Sequence, residues 1–321
     1  MSEALYQQEG RTADYTAVAA MSAGQVVQLP DGRAGIVCTD LAAGEQGSVH
    51  TDGIFKVTKT ASIVFLDGGR MYWDHSANAA HFKTVNDRDF YIGTVVGDAT
   101  SAATVAYVDL NKQQRNTIDA LNGPSLSVAT GTAAAGGFGL PRPYGGSLGL
   151  VLTGTSEVQC VDILSVDRVA VASNPILEAQ FRFGVNGSGS ASDFNIGLAS
   201  ATSTSDADAI AEHCLFHLDG NALDLYAQSK DGTTTVTATD TTVNITIGYA
   251  VANRVEVWID ARDPADIQMY VDGVLVLGST VFKLDAATGP LGALAHYEKS
   301  TGTETGGPVI IDRLVVRTME Q

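Results

Sequence analysis

Two stretches of this 321-residue chain crowd chemically useful side chains together. MYWDHSANAAHF (71–82) holds a Trp, an Asp and two His, and EHCLFHLDG (212–220) sets His213 and His217 four apart with Cys214 between. On a helix, a His pair at that spacing shares a face and can close on one zinc ion. On a strand the two backbones stand ~13 Å apart, too far to meet at one metal. Ala207, Ile210, Ala211, Cys214, Leu215 and Leu218 fit a helical stripe, but LDG followed by LDLYAQSKDG reads as a hairpin, so a strand is expected. In 71–82, Met71 to Asp74 should end one strand, 75–79 form the turn, and Ala80 to Phe82 begin the next, with Trp73 packed inside and His75 and His81 facing outward. No third ligand is indicated in either stretch, and no metal is assigned.

Other chemistries find little support. A retaining glycosidase needs two carboxylates about 5 to 5.5 Å apart, and the ExDxxE pattern that supplies them in sandwich hydrolases does not occur. Glu256 and Asp260, the nearest acidic pair on one strand, would lie ~13 Å apart. GGFGLPRPYGG (136–146) lacks the Lys-Ser/Thr ending of a phosphate loop. Asp193, Asn195, Asp206 and Asp208 offer oxygens for calcium without forming a known loop pattern. The chain therefore reads as non-enzymatic, with no cofactor and no metal.

The net charge is −17; residues 1–123 carry 9 Lys/Arg against 14 Asp/Glu, and 124–321 carry 10 against 22. Neither half offers the clustered cations that nucleic acid binding requires. No run approaches the ~20 apolar residues of a membrane helix, and the N-terminus lacks a secretory pattern. Cys38, Cys160 and Cys214 are odd in number and unpaired by spacing, which suggests buried thiols.

The elements that must position these residues are strands. From Gly24 to Leu110, short alternating runs such as AGIVCTD, GIFKV, FYIGTVV and ATVAYVDL are broken by Gly and Asp-Gly turns, indicating a small β-barrel or sandwich over 21–111. DLNKQQRNTIDALN (109–122) has weak helical spacing at Leu110, Ile118 and Leu121, and SVATGTAAAGGFGLPRPYGG (127–146) is almost uncharged, so 112–147 is expected to be a connector. Beyond 148, strands lengthen: LEAQFRFGV, LDLYAQSKDG, RVEVWID, IQMYVDGVLVLG and VIIDRLVVRT indicate an antiparallel two-sheet sandwich over 148–321. Val255, Val257 and Ile259 should face its core, with Trp258 on the other side, and Asp272-Gly273 should turn the chain. The fold class is all-β.

Four blocks in order, AGQVV (23–27), GIVCTDLAAGEQGSVHTDGIFKV (35–57), MYWD (71–74) and IGTVVGDAT (92–100), resemble the phage capsid cement, or head decoration, family over about 1–111. The resemblance implies a small β-rich domain on the outer surface of the virion capsid, partnered by the major capsid protein and by itself as a homotrimer. Residues 1–20 would be an extended arm along the shell, with Leu5, Tyr6, Arg11 and Tyr15 as its contacts. The second part is similar to concanavalin-like or laminin-G-like jelly rolls, most visibly in IQMYVDGVLV and VIIDRLVVRT. That architecture serves lectins as well as spacers. An alternative function is therefore a lectin-like adhesin that binds glycans through Trp258, Tyr270, Tyr226 and Tyr297.

Overall fold

The computed structural model describes residues 11–131, 142–144, 147–184, 192–220, 222–300 and 308–319. Leu5 and Tyr6 lie outside these residues. The chain divides into two compact units, Met1–Arg115 and Asn116–Gln321.

In the first unit, β1 (Thr12–Thr16), β2 (Val26–Gln28), β3 (Ala34–Val37) and β4 (Gln46–His50) form an antiparallel sheet in the order β1-β4-β3-β2. A second sheet contains β5 (Ile54–Thr58), β6 (Arg70–Asp74), β7 (Ala79–His81), β8 (Phe90–Val95) and β9 (Val105–Leu110), in the order β5-β9-β8-β6-β7. Alternation sets the first core: Val27, Leu29, Val37, Leu41 and Val49 turn inward together. Asn111 joins the two sheets. Left-handed at φ 61°, it accepts from the Ala34 amide (2.8 Å) and donates to the carbonyls of Ala34 (3.0 Å) and Thr51 (2.9 Å). Gly93, at φ 149°, lets β8 approach β9; a Cβ there would stand 2.1 Å from the Asp109 carbonyl oxygen.

Thr12–Thr16 lies inside the stretch expected to be an extended arm, yet it is an edge strand of this unit's own sheet, registered from Thr12 opposite His50 to Thr16 opposite Gln46. The reason is the alternation of Ala13, Tyr15 and Ala17, which pack on the small core.

The second unit begins with β10 (Thr117–Asp119), β11 (Ser125–Thr130), β12 (Arg142–Tyr144), β13 (Ser147–Leu150) and β14 (Gln159–Ser165). It continues with β15 (Pro175–Phe183), β16 (Ser192–Ala199), β17 (Glu212–Asp219), β18 (Asp224–Asp231) and β19 (Thr235–Asn244). The last strands are β20 (Val255–Asp260), β21 (Gln268–Val271), β22 (Val274–Val276), β23 (Gly292–Lys299) and β24 (Val309–Thr318). One sheet runs β12-β13-β24-β15-β20-β21-β22, with β10 also on β24; the other runs β11-β14-β23-β16-β17-β18-β19. Every pairing is antiparallel. The sheets sandwich a core in which Phe181, Phe183, Phe194 and Tyr297 meet edge to face at 5.1 to 6.4 Å. Such pairs contribute about 0.5–1.5 kcal/mol each beyond the area they bury.

Val255, Val257 and Ile259 belong to this core as the alternation requires. Asp272 and Gly273, at φ 48° and 73°, make the two-residue turn between β21 and β22. The stretch expected to be a connector instead supplies β10, β11 and β12. Ile118 pairs with Val316 and packs on the core, so its spacing from Leu121 reflects burial of a strand and turn, not a helix. Ser125–Thr130 is a sheet edge with a single neighbour, and an edge needs few large apolar residues; its bland composition hid it.

Candidate functional site

In 71–82 the chain makes the expected hairpin, β6 to β7, with the left-handed Asn78 before β7. Asp74 organises it: Oδ1 accepts from the Ser76 amide (2.8 Å), the Ser76 hydroxyl (2.7 Å) and the Ala77 amide (3.0 Å). Burial works against ionisation of this carboxyl, but those hydrogen bonds outweigh it and lower its pKa. Trp73 is buried, His75 is exposed, and His81 Nδ1 lies 3.1 Å from the Lys83 carbonyl oxygen. The aspartate serves a turn.

Of the arm contacts expected for capsid binding, Arg11 is exposed, with its carbonyl accepting from Thr51, and Tyr15 is half-buried against the small core. The unit also exposes apolar side chains: Val18 is 89% exposed, Ile54 62% and Tyr107 48%.

EHCLFHLDG is β17, a strand, so His213 and His217 do not converge. His213 is buried with Nδ1 3.0 Å from the Ile210 carbonyl oxygen, and burial depresses its pKa. His217 joins a different assembly, built by strand register. On the outer face of the seven-stranded sheet, Asp162 lies opposite His296, His296 opposite Asn195, Asn195 opposite His217, and His217 opposite Tyr226. Two residues along each strand, a second row runs Cys160, Glu298, Asp193, Asp219. Cross-strand neighbours on one face have Cβ atoms ≈ 4.5–5.5 Å apart, so these nine residues, distant in sequence, come within reach of one another.

His296 is the centre. Its Nδ1 lies 2.7 Å from Asp162 Oδ1 and its Nε2 2.9 Å from Glu298 Oε2. Asn195 donates to Glu298 Oε1 (3.4 Å), and its own Oδ1 lies 2.9 Å from His217 Nδ1. His296, Asp162 and Asn195 are fully buried. Beside them, a loop carrying a 3-10 turn at Ala207–Ala209 covers the sheet, Ala207 and Ile210 packing on Leu164, Ala199, Leu215 and Leu294. Burial alone would make the His296 imidazole more acidic, but the hydrogen bonds and charges of the two carboxylates raise its pKa to about 9. Burial pushes the Glu298 carboxyl up, against the opposing pull of His296. The Cys160 thiol is pushed up to about 12, by burial first and then by the charges of Glu298, Asp162 and Asp206. This is an imidazole held as a cation between two carboxylates with a thiol alongside. Cys160 Sγ, a His296 ring nitrogen and a Glu298 oxygen all lie within 4.8 Å of one another.

Asp193 and Asn195, among the calcium candidates, adjoin this assembly, whereas Asp206 caps the 3-10 turn through the Asp208 amide and Asp208 accepts from Gln228. The aromatics considered for sugar binding do not form one platform. Tyr297 is fully buried between the sheets, which corrects the expectation for it: a ring packed on Phe183 and Phe194 has no face to offer a ligand. Trp258 and Tyr270 pair on adjacent strands of the other sheet, 6.0 Å apart and almost wholly covered, with Trp258 Nε1 donating to Glu256 (3.0 Å). Tyr226, half-buried, stacks edge-on to His217 at 6.2 Å. Cys160 and Cys214 are buried free thiols, as the sequence suggested, and Cys38 is partly exposed.

Sequence reasoning passed over Asp162, His296 and Glu298. One signal was present: in GALAHYEK, the core-facing Ala293, Ala295 and Tyr297 alternate with Leu294, His296 and Glu298, which puts a His and a Glu on one face two residues apart.

The fold and these rows define an all-β protein of two units, a small two-sheet domain followed by a sandwich with a buried acidic and imidazole cluster. Residues 7–110 match the phage cement protein family, which bears out the resemblance read over the first part of the chain. Among solved structures, the chain is similar to an endo-1,3-beta-glucanase from Streptomyces sioyaensis (12% identity, TM-score 0.43, 64% of this chain and 98% of that one). It is also similar to the carbohydrate-binding module CBM66 from Bacillus subtilis (12% identity, TM-score 0.38, 61% and 96%). A third is an alginate lyase from Pseudomonas aeruginosa (15% identity, TM-score 0.41, 58% and 88%). No curated protein matches the chain.

Proposed function

We propose that the protein is a non-enzymatic decoration protein of a phage head, whose first unit seats on the outer surface of the capsid lattice and whose sandwich is displayed outward. The observation that carries this reading is the agreement between the family match, 7–110, and the compact unit that ends at Arg115. The work is association energy: interface added across seams between capsid subunits, with avidity if three copies act together as a homotrimer. The first unit has the means. Its sheet edge β1 can accept a further strand, Arg11 is exposed beside it, and Val18, Ile54 and Tyr107 present apolar surface.

The test is binding to heads that lack the protein. Wild type, a variant lacking residues 1–10, and Arg11→Glu are each incubated with such heads, sedimented and imaged at subunit resolution. The deletion stops short of β1, which begins at Thr12. Wild type should occupy the lattice and both variants should bind less. Wild-type chain that stays in the supernatant refutes the reading.

A glycan-binding sandwich is the second reading. It is favoured by Tyr226, half-buried next to His217 and the acidic row. A glycan array probed with wild type and Tyr226→Ala decides it, with a signal lost in the variant supporting the adhesin role.

A further inference from the structure

The assembly around His296 has the donor set of a metal centre. Cys160, His296 and Glu298 come from only two strands: Cys160 lies directly opposite Glu298, and His296 is two residues before Glu298 on the same face. Their donor atoms lie within 4.8 Å of one another, and all three residues are buried. Asp162 adds an independent sign. One of its oxygens holds His296 Nδ1 at 2.7 Å, while the other, Oδ2, is buried without a hydrogen-bond partner among the described residues. A carboxylate on one imidazole nitrogen is the usual outer partner of a metal-bound histidine, because it fixes the ring and makes the other nitrogen a better donor. Here that other nitrogen, Nε2, points at Glu298.

We propose that Cys160, His296 and Glu298 bind one divalent transition-metal ion of the zinc class, with Asp162 as the positioning residue for the His296 ring. The mix of thiolate, imidazole and carboxylate selects that class over calcium or magnesium, which take oxygen ligands. With three protein ligands the ion keeps one position for a further donor, and the Ser205 carbonyl oxygen, 3.5 Å from Cys160 Sγ, borders the place. Binding exchanges charge for charge. The ion takes the place of the proton between His296 Nε2 and Glu298 and of the Cys160 thiol proton, and both protons leave to solvent. The carboxylates that surround an imidazolium in the metal-free form then surround the metal.

Cobalt(II) is the probe, because a thiolate ligand gives it a near-ultraviolet charge-transfer band and four-coordination gives it intense visible bands. Full-length protein in metal-free buffer is titrated with cobalt chloride. Wild type should saturate at one ion per chain with both features, and added zinc should bleach them. Cys160→Ser, nearly the same size, should lose the charge-transfer band, whereas Cys38→Ser should keep it. Asp162→Asn should keep the band but weaken affinity about 10–100-fold, the range for loss of an outer-shell partner. A wild-type titration without the charge-transfer band, or a band that survives Cys160→Ser, overturns the proposal and leaves a buried ion cluster only.

Discussion

Raising the pH from about 6 to about 9 should loosen the metal-free sandwich through a single side chain, and the pKa of His296 sets the size of the effect. Folding moves that imidazole from 6.5 to about 9, because two buried carboxylates hold its proton against the cost of burial. The sign follows from linkage. Below about 6.5 both folded and unfolded chains carry the proton, and the full contribution is present. Between 6.5 and about 9 the unfolded chain has lost its proton while the folded one keeps it, so stability drains away as the pH rises. At about 1.4 kcal/mol per pKa unit, the loss across this window is on the order of 3 kcal/mol. Burial depresses the pKa of His213, so it titrates below the window. The Cys160 thiol, raised in the fold from 9.0 to about 12, acts only above it. The assay is urea unfolding of the full chain with a chelator present, followed by Trp258 fluorescence in a Trp73→Phe background so that the first unit is silent. His296→Gln, which cannot take up the proton, should be less stable at about pH 6 and nearly flat to about pH 9. A flat wild-type profile, or one with the same slope in His296→Gln, would refute the assignment of an imidazolium at this centre.

Three further outcomes test the scaffold. Asn111→Ala removes three hydrogen bonds between the sheets of the first unit and should cost about 2–4 kcal/mol, read as a lower melting temperature by Trp73 fluorescence; an unchanged value sinks the claim that this side chain joins the sheets. Gly93→Ala drives a Cβ to 2.1 Å from the Asp109 carbonyl, so the first unit should become protease-sensitive while the sandwich stays resistant. Asp312 holds the Arg182 fork (2.6 and 2.8 Å) and Arg254 (3.2 Å); Asp312→Ala should destabilise the sandwich by about 3–5 kcal/mol, the range for breaking a buried pair, and a loss below about 1 kcal/mol in urea unfolding would show the bridge to be dispensable.

Much of the fold was legible because strands announce themselves locally. Val255, Val257 and Ile259 alternate with Glu256, Trp258 and Asp260, and the Asp272-Gly273 pair turns the chain where that dipeptide permits positive φ. The hairpin of 71–82 could be placed within a residue of its observed strands. Edge strands were harder: Thr12–Thr16 and Ser125–Thr130 each have one neighbour and need few large apolar residues, so their composition resembles that of an arm or a connector.

The all-β class, the two-part organisation and the four ordered blocks that resemble a cement domain are readable from the amino acids alone. These are properties of periodicity and local turn chemistry, carried within ten or twenty residues. Which polar residues act together depends instead on how distant strands pair. Asp162 and His296 are 134 residues apart, and Asn195 and Glu298 103 apart. What joins them is antiparallel register, set when β23 docks between β14 and β16. A strand shows from its own residues which side chains share a face, but not which face of which neighbour they will meet. For that reason MYWDHSANAAHF, dense with chemical groups, proved to be a turn held by Asp74, and the unremarked GALAHYEK supplied the centre of the candidate site.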